Sequence, residues 1–364
     1  MNQVPHRKGS PRAVMAAIAA LAVIVAGLVA GCGSSSSDTT SDSTASKEAA
    51  ANVPKEYDGP AADLPAGFPK PKSTGEDVTI GYLQIYGALP GLAAEQKGAE
   101  KVAEELGAKV IVKDAELNPQ LQVTEFKQLL AQGVDGIIVY PVVPESLAQP
   151  LKAAEAAGIP VVTKAARPDV SKPLMPGIAA DLEAPIDRQA FAMAQYAAET
   201  QPGAKFGIIG NAAPVAALEY LAERQRYWGE KFGLEFVGQV DAKQDTPSGY
   251  GPAVTELIAS SPDIEEVWGY NEPLALTASR TLRASGKDEV KVLSAFGASE
   301  SVLEAVGNGE LAMVYAAPWG KGGEELMNGI YDAVTEQHLP LPETVSPLGE
   351  TVTEENVDSV EPTA

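Results

Sequence analysis

The stretch Gln128-Leu-Leu-Ala-Gln-Gly-Val-Asp-Gly-Ile-Ile-Val-Tyr140 and the stretch Ala153-Ala-Glu-Ala-Ala-Gly-Ile-Pro-Val-Val-Thr163 share one plan. Each opens on residues that favour a helix, meets a glycine suited to the left-handed position past a helix end, and runs into a short β-branched segment. Such segments, lying between amphipathic helices, are strands buried on both faces, the setting of a parallel sheet covered by helices.

Outward from these two units the alternation continues. Upstream, the pattern predicts strands over 78–83 and 109–113 and helices over 92–106 and 118–132; the quoted units supply strands over 136–140 and 160–164 and a helix over 144–157. After Asp181 the alternation restarts: helices over 184–199, 215–232, 249–260 and 274–285 separate strands over 205–210, 235–240, 266–270 and 291–294. A helix over 299–307, a strand over 311–315 and a helix over 322–337 close it. Residues 125–140 and 256–271 even repeat one unit of helix, turn and strand. The fold class is therefore α/β, with two doubly wound parallel-sheet lobes and right-handed crossovers.

The ends have a different character. Residues 1–31 combine a basic start (His6, Arg7, Lys8, Arg12), an apolar run from Ala13 to Ala30 and a small-residue exit into Cys32, the make-up of a secretory signal. The run is near the lower limit for spanning a bilayer, so a retained transmembrane helix is the competing reading. Val29-Ala30-Gly31-Cys32 resembles the lipobox of bacterial lipoproteins, which implies cleavage before Cys32 and acylation of its sulfur. Two or three acyl chains make such anchoring stable, where one gives only marginal binding. Residues 32–76 are rich in Ser, Thr, Ala and Pro and read as a disordered, then Pro-stiffened tether; its aromatic piece, around Tyr57 and Phe68, is the part able to pack on a domain.

Composition excludes whole classes of function. The chain carries 27 bases and 49 acids; without Arg7, Lys8 and Arg12 the balance is 24 against 49, or −25. With no cluster of Lys or Arg outside the signal, nucleic acid and an anionic lipid surface are poor partners, so membrane contact is through the lipid anchor only. Cys32 is the one cysteine, so the mature domain has no internal disulfide and needs a large core. Once the signal is removed His338 is the remaining histidine, which leaves no material for a His-based zinc site or a Ser-His-Asp triad. Gly207-Ile-Ile-Gly-Asn211 lacks the third glycine of a dinucleotide loop. No metal, no cofactor and no enzymatic activity are expected.

Three segments resemble the type I periplasmic sugar-binding proteins, the group of ribose-binding proteins and lac-repressor cores: the two quoted stretches, and Tyr270-Asn271-Glu272 with the Ala-rich helix after it. The resemblance spans about 77–337. It implies a three-segment hinge, with crossings near Ala180, Ala316 and Leu339. The N-terminal lobe is then 77–180 with 317–338, the C-terminal lobe 181–316 with 339–350, and 351–364 a tail. A signal in place of a helix-turn-helix leaves the importer-receptor branch: an extracytoplasmic, lipid-anchored monomer that hands a small molecule to an ABC permease. A receptor presenting its ligand to a membrane signalling protein would use the same residues.

In open parallel sheets ligands bind beyond the carboxyl ends of the strands. The expected ligand-binding residues are therefore Gln84, Tyr86, Lys164, Arg167, Asn211, Asn271, Phe296 and Trp319. Tyr86, Phe296 and Trp319 sit in Gly- or Pro-containing loops, to stack on a ligand or to plug the lobe interface. Lys164 and Arg167 pair either with a ligand oxygen or with Glu272 or Asp245 across the lobes. Asn271 matches a ligand-binding Asn of the family and is equally an N-cap for the next helix. Elsewhere the family pattern is lost: Thr163-Lys164-Ala165-Ala166-Arg167 has no Asp and a shifted Arg, Pro214 to Ala216 replace an Arg, Phe296 a carboxylate and Ala316 a Gln. The expected ligand is less hydroxylated than a simple sugar, an apolar or ring body with one polar or anionic end; a ribose-type sugar is the runner-up.

Overall fold

The computed structural model describes residues 53–72 and 77–362; the signal and Cys32 lie outside them. The first lobe runs β1 (Thr79–Gln84), α1 (Pro90–Leu106), β2 (Lys109–Asp114), α2 (Pro119–Gln132), β3 (Gly136–Val139), α3 (Ala148–Ala157), β4 (Val161–Lys164) and β5 (Ala180–Leu182). The second runs α4 (Ile186–Thr200), β6 (Lys205–Asn211), α5 (Ala216–Lys231), β7 (Glu235–Ala242), α6 (Pro247–Ser260), β8 (Glu266–Gly269), α7 (Glu272–Ala284), β9 (Lys291–Ser294), α8 (Glu300–Gly307) and β10 (Met313–Ala316). The chain then returns to the first lobe as α9 (Trp319–Thr335) and β11 (Thr344–Val345), and ends in the second as β12 (Glu350–Val352).

The sheet orders are β11-β5-β4-β3-β1-β2 and β12-β10-β9-β8-β6-β7. All pairs are parallel except β12 on β10. Alternation along each strand divides the core of the first lobe. Ile80, Tyr82, Ile138 and Val162 pack toward α1 and α9. Leu83, Ile137, Val139 and Val161 pack toward α2 and α3. Helix ends follow local chemistry: Asn118 caps α2 by accepting from the N–H groups of Gln120 and Leu121, and Gly133 ends it at φ 72°.

The sequence Trp319-Gly-Lys-Gly-Gly323 has a packing purpose. A Cβ on Gly98 would stand 2.0 Å from the carbonyl oxygen of Gly320, and one on Gly323 would stand 1.8 Å from that of Glu95. Only glycines let α9 lie this close on α1, and the close approach fixes Trp319, the first residue of α9, at the junction of the lobes.

The crossings are Glu183–Pro185, Ala317–Pro318 and 346–349. The first falls three residues beyond the expected Ala180, because β5 continues the sheet to Leu182. The third is not near Leu339: Thr344 and Val345 pair with Asp181 and Leu182, so residues 339–345 belong to the first lobe. Residues 351–362 are not a free tail either. Thr351 and Val352 are in β12, and Val357 is buried against α8.

Residues 53–72 also depart from the expected tether, because their few large side chains find pockets. Val53 is buried, the Pro54 carbonyl accepts from Gln195, and the Tyr57 ring packs edge-on against Phe191, all on the second lobe. Pro65 accepts from the N–H of Ser346 at the third crossing. Phe68 is buried against Gly329 of α9, its N–H donating to Glu325 at 2.7 Å. The segment is a strap, held on the second lobe at one end and on the first at the other.

Candidate functional site

The strands of both sheets point their carboxyl ends into one narrow cleft, partly open to solvent. Its first-lobe wall is Ile85, Tyr86, Leu117 and Tyr140 with the start of α1; the second-lobe wall is Val215, Leu218, Tyr270 and Phe296; Trp319 closes the back. The walls touch. The rings of Phe296 and Trp319 lie with centroids 5.4 Å apart, and the Ala216 N–H donates to the Val142 carbonyl at 3.4 Å.

Phe296 is held by the loop after β9. Ser294 donates to its carbonyl, and the next position needs glycine twice over: Gly297 lies at φ 144°, and a Cβ there would meet Glu272 Cγ at 2.3 Å. Glu272 in turn receives the N–H groups of Ala298 and Ser299 on Oε1, at 2.6 and 2.9 Å.

The polar floor is built around Asp245. Its Oδ1 accepts from the hydroxyls of Tyr250 and Tyr270 and from Asn271 Nδ2, the last two at 2.8 and 3.1 Å. Asn271 also donates to the Tyr250 oxygen, and Asn211 to the Tyr270 oxygen at 2.9 Å. Burial and the neighbouring carboxylate push both phenols well above their ordinary range, so both stay protonated donors. Asn271 Oδ1 meanwhile accepts from Leu274 N–H at 2.9 Å. It is thus the expected helix cap and a member of the floor at once.

Of the expected ligand residues, Tyr86, Asn271, Phe296 and Trp319 line the cleft. Gln84 lies behind it, donating to Gln96. Asn211 is one layer down, holding Tyr270. Lys164 is fully buried in an ion pair with Glu95 of α1, its Nζ 4.3 Å from the Trp319 ring centre and 5.2 Å from that of Tyr140. Burial lowers its pKa while Glu95 opposes the shift. Arg167 faces the hinge, donating to Glu343 at 2.7 Å, to the Lys172 carbonyl and to Thr344. Neither base pairs with Glu272 or Asp245, and neither is among the residues lining the cleft. The signals missed were Asp245, Tyr250 and Tyr270.

Residues 89–335 match the model of the periplasmic binding protein domain. The chain belongs to the type I periplasmic binding protein family. Among curated members of that family, the ribose import binding protein of Bacillus subtilis is 27% identical over 262 residues, covering 69% of this chain and 81% of its own. The Escherichia coli ribose import binding protein is 27% identical over 254 residues, covering 62% and 75%. The family fold recurs in an ABC transporter solute binding protein of Bacillus halodurans solved with myo-inositol (TM-score 0.69, 22% identity, 79% of this chain and 98% of that one). It recurs in one of Burkholderia graminis solved with D-arabinose (TM-score 0.70, 19% identity, 78% and 98%). No helix among the described residues is long and apolar enough to cross a membrane.

Proposed function

We propose that the protein is the solute receptor of an ABC-type importer: a monomer anchored outside the cell through acylated Cys32, which captures a small organic molecule between its lobes and presents the closed form to a permease. The observation that carries this reading is the cleft itself, walled by aromatic side chains from both lobes and backed by Trp319 at a crossing. Family membership and relatives named as ribose import binding proteins support the import role. They also favour a second reading, a ribose-type sugar as the ligand. Relatives named as import binding proteins support binding without turnover. Incubation with a broad metabolite mixture, followed by mass spectrometry of what the folded protein retains, tests the receptor role; no retained molecule, or a chemically altered one, would overturn it. Anchoring is tested apart: Cys32→Ser should leave the protein unprocessed or soluble on membrane fractionation, and detergent partitioning of mature Cys32→Ser protein would refute the lipid anchor.

A further inference from the structure

Resting on that receptor reading, we propose that the cleft selects a ring-bodied solute carrying an ammonium or similar N–H donor end, with the ring between the aromatic walls and the donor end at Asp245. Three features of the floor argue for it. The first is charge: the charged residues lining the cleft are Asp245 and Glu272, both acidic, while the nearest base, Lys164, is spent on Glu95. An anionic ligand would enter a cleft with nothing to neutralise it, in a chain whose formal net charge is −22.

The second is the accounting of donors. The Tyr250 and Tyr270 hydroxyls and Asn271 Nδ2 are all directed at Asp245 Oδ1, and Glu272 Oε1 is occupied by backbone N–H groups. Among the described residues none donates to Asp245 Oδ2. The floor therefore offers a ligand acceptors and few donors. A sugar ring brings several hydroxyls, each needing an acceptor and a donor when water is excluded, whereas an ammonium has three donors and no acceptor. The hydroxyls of Tyr86 and Tyr140 on the facing wall can serve either way.

The third is the aromatic lining. Trp319 already carries a cation on one face, Lys164 at 4.3 Å, and the rings of Phe296, Tyr86 and Tyr270 offer further faces to a ring or a positive charge.

The test uses the mature chain, including the strap, with three probes in calorimetry and thermal melting: phenethylamine, phenylacetate and ribose. Phenethylamine should bind and raise Tm, and phenylacetate and ribose should not. Asp245→Asn, which keeps an acceptor for the tyrosines, should weaken phenethylamine binding about tenfold or more, whereas Asn211→Ala, one layer below, should weaken it less. The comparison of probes on unaltered protein stands even if a variant folds poorly. Tighter binding of phenylacetate or ribose, or no binding of phenethylamine, overturns this proposal; the receptor reading falls only if the broad metabolite mixture also leaves nothing bound.

Discussion

The Tyr57 hydroxyl donates to Asp187 Oδ2 at 2.8 Å, across 130 residues of sequence. Asp187, buried at the start of α4, also accepts from Trp228 Nε1 at 2.8 Å and pairs with Arg224 through Oδ1. The strap is thereby tied to a carboxylate that already organises two helices of the second lobe.

Removing this tie should cost stability. Tyr57→Phe keeps the ring on Phe191 and loses one hydrogen bond to a charged group, about 1 to 2 kcal/mol for a half-buried site. Tyr57→Ala should cost more, because it also uncovers Phe191. Denaturant titration of both variants reads the difference, and a chain beginning at residue 77 should melt lower than either. Midpoints for all three equal to that of the unaltered protein would mean that the strap contributes nothing.

Lys164 and Glu95 should behave as an interdependent pair. Their side chains are 5% and 3% exposed, so removing one leaves the other charge without its partner. Lys164→Met or Glu95→Gln alone should destabilise by about 3 kcal/mol or more, and the double variant by clearly less than the sum, as a double-mutant cycle would show. Additive losses would remove the pair from the account of the cleft.

Much of this architecture could be read from the chain because its periodic parts are long. The strand and helix runs around Ile137 and Val161 carried the fold, and aromatics in Gly- or Pro-containing loops marked Phe296 and Trp319. What escaped had little local signal. β5, β11 and β12 have three residues or fewer, too short for any period, so two crossings shifted. Glu95 carries no local mark of its role; it is buried because glycines draw α9 onto α1. Asp245 lies in an ordinary turn ahead of Pro247, and its meaning arises only when Tyr250, Tyr270 and Asn271 converge on it from separate points in the chain.

Stability should depend on pH through three buried carboxyls. Burial raises Asp181 to about 7, Glu183 to about 8 and Glu266 to about 7, each only partly offset by hydrogen bonds or neighbouring bases. Thr163, the Ala166 N–H and Arg167 face Asp181; Ser346 and Arg188 face Glu183; Trp268 and Lys291 face Glu266. Unfolded, these groups titrate near 4. Between that value and 7 to 8 the native state binds more protons than the unfolded one, so stability falls as pH rises through the window. Urea midpoints at pH 5 and pH 8.5 should show the decline, and Asp181→Asn should flatten it. A midpoint that rises with pH would contradict these assignments.

Closure should be visible through one indole. The chain has three tryptophans; Trp228 and Trp268 are 2% and 0% exposed within the second lobe, whereas Trp319 lines the cleft against Phe296. A bound solute must insert beside Trp319 or change its contact with Phe296, so emission should shift on binding while the other two indoles stay constant. Trp319→Phe should abolish the shift and leave the fold intact, since a phenyl ring fits where the indole meets Gly91. Asn271→Ala gives the complementary control. It removes the cap of α7, worth about 1 kcal/mol, and withdraws one donor from Asp245, so binding should weaken while Trp319 still reports whatever ligand remains. A ligand-induced shift that survives in Trp319→Phe would place the solute away from this cleft.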